Sequence, residues 1–234
     1  MSIKNKVLAA AATMTMVGGV SAVGLLPANA ATPSCGANCV EGIGQEYAAP
    51  FVLDVLRQGE KAGQPIILFR TSTSDPAEDF TYDAEGTVAD FYANTLVSKQ
   101  LDLTYPNDEA YELEYSPYGV NSDLCMGVAS TPGNGTPVAL EPCGASSNTV
   151  WIVDSTNPVT SVYTPPVSGS YYPLINGSDT NFSHPFVLHY PGTAYPTDMP
   201  RPQLNTYTLQ TSSGGTIYNN ELWTDEIGSP PVLP

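Results

Sequence analysis

Basic residues are scarce in this chain of 234 residues: Lys and Arg number 7 against 23 Asp and Glu, a formal charge of −16 at neutral pH. A surface that acidic repels phosphate backbones and anionic headgroups, which argues against nucleic acid and against a membrane surface as partners. Histidine is scarcer still, with 2 residues, His184 and His189. Neither belongs to a metal-type His/Glu motif, their His-x-x-x-x-His spacing lacks helical context, and no Gly-x-Ser-x-Gly follows the N-terminal segment. Carboxylates are plentiful, yet no spacing singles out a pair for general acid and base work. No enzyme and no cofactor are expected. Cysteine is limited to 4 residues, and neither close pair has the Cys-x-x-Cys spacing and further ligands that structural zinc needs. Also absent is any convincing amphipathic helix after the first thirty residues.

What is present begins with an exported chain. Lys4 and Lys6 head an apolar stretch rich in Ala, Val, Met and Gly, and Ala28-Asn29-Ala30 forms a small-x-small cleavage site. This is the pattern of a secretory signal peptide. The apolar part is short and glycine-containing for a membrane anchor, and Pro27 follows it. Residues 1–30 are therefore expected to be removed and the protein secreted. Losing Lys4 and Lys6 leaves five basic and 23 acidic residues, a mature charge of −18 that favours a soluble monomer. An even number of cysteines in an exported protein implies disulfides. Three pairings are open. The closeness of Cys35 and Cys39 favours a local pair, which leaves Cys125 and Cys143 to close a loop worth roughly 3 kcal/mol on the chain-entropy model.

Residues 31–45 are small and polar and read as an irregular arm. From Ala48 onward short apolar runs alternate with Gly, Pro, Asn and Ser clusters, the signature of hairpin strands. Between Pro50 and Lys61 a helix competes, but the apolar period is poor and Gly59 and Gly63 interrupt it, so strand is preferred. Asp83 to Val88 reads as a turn into another strand. The clearest stretch is Leu124 to Val153, where Cys125 and Cys143 bracket the first two of three apolar runs and Trp151 closes the third. Val52-Leu53-Asp54-Val55 lies over Cys125-Met126-Gly127-Val128, Gly63 to Leu68 over Gly135 to Leu140, and Phe80 over Trp151. A third copy runs from Val187-Leu188-His189-Tyr190 through Arg201-Pro202-Gln203-Leu204 to Asn220-Glu221-Leu222-Trp223. Three such units about 65 to 70 residues apart imply an all-β architecture with threefold repetition. Residues 229–234 read as a flexible tail.

The central copy, with Cys125-Met126-Gly127-Val128, Gly135-Thr136-Pro137-Val138-Ala139-Leu140, Cys143 and Asn148-Thr149-Val150-Trp151, resembles one repeat of the ricin-type β-trefoil lectins. The looser flanking copies extend the resemblance over residues 46–228. It implies a β-trefoil of three pseudo-repeats, with Phe80, Trp151 and Trp223 packed as the closing aromatics of a shared core. It also implies carbohydrate as the partner, galactose-type or polysaccharide.

In that family each repeat can supply an acidic residue on the first strand of its hairpin, an aromatic after the second, and an amide near the closing tryptophan. An aromatic face suits the apolar side of a sugar ring, and a short carboxylate or amide suits vicinal hydroxyls. The first copy offers Asp54, Phe69 and Glu78, with the amide position falling on Ala77 or Glu78. The central copy has Gly127 and Glu141 where the acid and aromatic belong, although Asn148 remains, and it reads as structural. The third copy offers His189 at the acidic position, with Tyr207 and Asn220. The expected function is a secreted, non-catalytic carbohydrate-binding protein. The alternative is a β-trefoil with decayed sugar sites that binds a protein, as a protease inhibitor does.

Overall fold

The computed structural model describes residues 40–44, 51–70, 75–156, 159–160, 170–192, 203–211 and 217–227. The expected leader, the Cys35–Cys39 staple and the tail lie outside the described residues.

Twelve strands fall into three units of four. The first holds β1 (Val40–Gly44), β2 (Phe51–Val55), β3 (Ile66–Arg70) and β4 (Phe80–Thr87). The second holds β5 (Glu109–Tyr115), β6 (Leu124–Val128), β7 (Thr136–Pro142) and β8 (Val150–Val153). A two-stranded ribbon, β9 (Val159–Thr160) with β10 (Ser170–Tyr171), precedes the third unit. That unit holds β11 (Leu174–Asn176), β12 (Phe186–His189), β13 (Asn205–Thr208) and β14 (Trp223–Ile227).

The first and fourth strands of the units form one ring. β1 pairs with β4, β4 with β5, β5 with β8, β8 with β11, and β14 returns to β1. The remaining gap is bridged at Tyr172 and Trp223, whose backbones exchange hydrogen bonds of 2.8 and 2.9 Å. Every pairing in the ring is antiparallel, and closure leaves no sheet edge there. The second and third strands form three hairpins: β2–β3, β6–β7 and β12–β13. Their third strands meet one another, since Val138 N donates to Leu204 O and Leu204 N to Ile66 O, both at 2.8 Å. A six-stranded ring capped by three mutually bonded hairpins is a β-trefoil.

Alternation along each hairpin explains the core. Leu53, Val55, Ile66 and Leu68 point inward from the first hairpin, Met126, Val128, Val138 and Leu140 from the second, and Leu188 and Leu204 come from the third unit. Each such side chain removed from water contributes roughly 1.5–3 kcal/mol. Phe80, Trp151 and Trp223 fill the same core at 0%, 0% and 1% exposure. Both tryptophans donate their indole N–H to the middle carbonyl of a second strand, Trp151 to Met126 O at 3.0 Å and Trp223 to Leu188 O at 2.9 Å. Phe80 has no donor for the equivalent bond. The loop into the third strand is also repeated: Gly63 and Gly135 both adopt left-handed φ, +78° and +82°, at the head of a Gly-x-Pro turn. Cys125 and Cys143 are bonded and tie β6 to the segment after β7.

Three expectations need correction. Strand β1 lies inside the segment read as an irregular arm, so the fold begins by Val40. Its short run of Val, Gly and Ile gave little alternation to read, and it is strand through its pairing with β14, β2 and β4. Secondly, the stretch from Asp83 to Thr87 continues β4 past a bulge between Tyr82 and Ala84 instead of turning. Thirdly, two helices follow, α1 (Val88–Ala93) and α2 (Lys99–Thr104), each of 6 residues and too short to show a period. Thr87 caps α1 in a capping box with Asp90, and Ser98 caps α2. Val88 and Phe91 of α1, Leu101 of α2 and Val97 between them build a second core against Ala110, Val150, Ile152, Ile175 and Val187, on the side of β5 and β8 opposite Tyr111 and Trp151.

Candidate functional site

In each unit a three-residue 3-10 turn precedes the closing aromatic and packs on the hairpin: Pro76–Glu78, Ser147–Thr149 and Asn219–Glu221. Because the turns have equal length, Ala77, Asn148 and Asn220 are equivalent, three residues before Phe80, Trp151 and Trp223. Glu78, Thr149 and Glu221 come next and are all buried. The amide position of the first unit is thus Ala77, and Glu78 is the buried neighbour. Hairpin register sets the other positions. Asp54 pairs with Ile67 and Val52 with Phe69, Gly127 with Ala139 and Cys125 with Glu141, His189 with Asn205 and Val187 with Tyr207. Directly paired residues point the same way, so each set lies on the hairpin face opposite the core.

The three faces differ in access. In the first unit Asp54 is 4% exposed and Glu78 3%. One ligand oxygen from each, together with one from Asp75, falls within a 4.8 Å span. Asp75 in turn accepts from Ala77 N and from Gln58 Nε2, both at 3.0 Å. This is a packed carboxylate cluster with the half-buried Phe69 beside it on the hairpin face. In the second unit no cleft exists at the acidic position. A Cβ on Gly127 would come within 2.9 Å of both Asn148 O and Thr149 Cγ2. Asn176 Nδ2 holds that same Asn148 carbonyl at 3.0 Å.

The third unit is open. His189, Asn205, Tyr207 and Asn220 are all half-exposed, and they touch. The His189 and Tyr207 rings lie 5.0 Å apart with 32° between their planes. His189 Nδ1 meets Asn205 Oδ1 at 2.8 Å, and Asn220 Nδ2 meets His189 Nε2 at 2.9 Å. Asn220 Nδ2 also donates to Tyr190 O at 3.1 Å. Only the amide nitrogen can donate to a carbonyl, which orients Asn220 and makes His189 Nε2 an acceptor. Nδ1 then carries the proton and donates to Asn205. Burial holds the His189 imidazole below its ordinary value, while the Asn205 bond raises it in part. A planar aromatic, an imidazole and two amides are assembled on one half-exposed face, the chemistry that a sugar ring and its hydroxyls can use.

Of the expected residues, Tyr207 and Asn220 are joined through His189, whereas Asp54 and Glu78 are joined out of solvent. Asn205 escaped the sequence reading. Its signal was available only through register, as the residue opposite His189, because the proline-rich loop between β12 and β13 obscures the alignment. Two buried carboxylates at the turns, Glu221 and Glu112, were missed as well. Glu221 Oε2 accepts from Gln210 N at 2.9 Å, and burial pushes its carboxyl up to about 7. In the second unit Glu112, arriving from β5, takes the matching job: it accepts from Gly144 N at 3.1 Å and from the Thr149 hydroxyl.

No family model matches the chain, and no curated protein matches it. Solved structures do. An exo-beta-1,3-galactanase from Clostridium thermocellum superposes with a TM-score of 0.50 at 11% identity, covering 81% of this chain and 30% of that one. A designed 3-fold symmetric protein, ThreeFoil, gives 0.49 at 14% identity, covering 80% of this chain and 97% of that one. A mosquitocidal holotoxin gives 0.48 at 11% identity over 81% of this chain and 17% of its own. The chain therefore spans less than a third of the galactanase and of the holotoxin. At such identities the likeness concerns the fold alone.

Proposed function

We propose that this chain is a secreted, non-catalytic carbohydrate-binding protein of the ricin-type kind, and that its working site is the third-unit face formed by His189, Asn205, Tyr207 and Asn220. The observation that carries the reading is the contrast in access. The same hairpin face is buried as carboxylates in the first unit, filled by backbone and Thr149 in the second, and left half-exposed with an aromatic and two amides in the third. Sugars are held by few direct hydrogen bonds and one stacked ring, so a small open face of this composition suffices. The first-unit residues Asp54, Phe69 and Glu78 act on this reading as structure. That a galactanase shares the fold agrees with a galactose-type or polysaccharide ligand.

A glycan array probed with wild type, Tyr207→Ala and Asp54→Ala tests it. The expected result is a defined glycan set bound by wild type and lost in Tyr207→Ala. No binding by folded wild type would sink the reading and favour the protein-binding alternative.

A further inference from the structure

The third-unit face contains a titratable group at its centre, and the bonds around it admit only one of its two protonation states. In the neutral state His189 donates from Nδ1 to Asn205 Oδ1 and accepts at Nε2 from Asn220. Asn220 then uses Nδ2 twice, on His189 and on Tyr190 O. A proton taken from solvent at Nε2 turns that atom from acceptor to donor and sets it against the Asn220 NH₂, two donors 2.9 Å apart. The amide must turn over, so that Oδ1 accepts from the new Nε2–H. Turning it breaks the bond to Tyr190 O and replaces the Oδ1 acceptor that Asn220 offers outward by the Nδ2 donor.

We infer that His189 is a positioning residue that makes ligand binding at the third-unit face pH-dependent, holding Asn220 in its binding orientation at neutral pH and releasing it in acid. This rests on the carbohydrate reading of the same site. Half-burial of the imidazole places the change below the ordinary histidine range. The surroundings do not oppose it. From β13 the ring faces Asn205 and the Tyr207 ring, and β11, which pairs with β12 on its other side, holds Leu174, Ile175 and Asn176, with no ionisable side chain. On the turn beside Asn220, Glu221 accepts from Gln210 N and is itself titratable, its carboxyl raised by burial to about 7, and Asp179 is bonded to Asn181 N and to Phe186 N at the far end of β12. Burial and the Asn205 bond are what set the imidazole's value. The first-unit face has Asp54 at the matching position and no such switch.

Two measurements on the full chain test this separately. In ring-¹⁵N and side-chain-amide NMR from pH 8 to 4.5 without ligand, His189 should show the Nδ1–H tautomer at high pH. The Asn220 NH₂ signals should then move with the same midpoint as the ring, below that of the neighbouring Glu221 carboxyl at about 7. An Nε2–H tautomer, or Asn220 signals that ignore the His189 titration, overturns the inference whether or not any sugar binds. The second measurement is the affinity for lactose at pH 7.5 and pH 4.5. Loss of one well-oriented amide contact should weaken binding roughly tenfold in acid. In His189→Gln the ratio between the two pH values should fall to about one, whatever the absolute affinity. An unchanged ratio in that variant overturns the role given to His189. If lactose is not bound at either pH and the NMR coupling is present, the protonation switch stands and the galactose-type reading of the face fails.

Discussion

Phe69 and Tyr207 stand at one and the same position of their hairpins, and what surrounds them sets their roles. Phe69 adjoins buried carboxylates, whereas Tyr207 leans on an imidazole in a half-exposed face. Tyr207→Ala should therefore abolish glycan binding while lowering stability by only about 1 kcal/mol, because a half-exposed ring has little to lose by truncation. Calorimetric titration alongside thermal melts checks both halves. Gly127→Ala should behave in the opposite sense. Its new methyl meets backbone at 2.9 Å, and the expected cost is about 1–3 kcal/mol in chemical denaturation with no effect on binding. At this scale the sequence was informative wherever side-chain type decides the role. Tyr207 and Asn220 were legible from their offsets. Asn205 was not, since its place comes from pairing across a loop of irregular length.

Elements explain how the units differ. The 3-10 turn before each closing aromatic sits over a buried carboxylate, from Glu78, Glu112 or Glu221, that is supplied by the turn itself in two units and by a barrel strand in the other. Glu221 carries a clear pH signature. Its folded carboxyl is raised from about 4.5 to about 7 by burial, so its contribution favours folding below 4.5 and is lost as pH rises through 7. Glu221→Gln should leave stability at pH 4 unchanged and raise it at pH 8 by about 2 kcal/mol, read from denaturant midpoints across that range. The disulfide is a second element-scale device. Replacing Cys125 and Cys143 by Ala should cost roughly 3 kcal/mol, measured as a fall in the urea midpoint. Strand-rich units were readable because Gly-x-Pro turns and alternation mark them locally. The α1 and α2 insertion was not, because two six-residue helices owe their existence to caps and to packing against Val150, Ile152 and Ile175.

At the scale of the whole molecule, threefold repetition separates stability from recognition. The closing aromatics and the hairpins' inner faces are kept alike in all units, so the ring closes and one core serves three faces. The outer faces are then free to diverge, and among the described residues the third is the one left half-exposed. A formal charge of −16 over the full chain, or −18 without Lys4 and Lys6, repels itself, so the melting temperature should rise as salt is raised from a few millimolar toward physiological strength. The most direct test of the central claim is a backbone-amide NMR titration with the strongest glycan from the array. The account predicts shifts confined to residues 186–190, 203–211 and 217–222. Shifts centred on β2 and β3, or spread evenly over the three units, would contradict it.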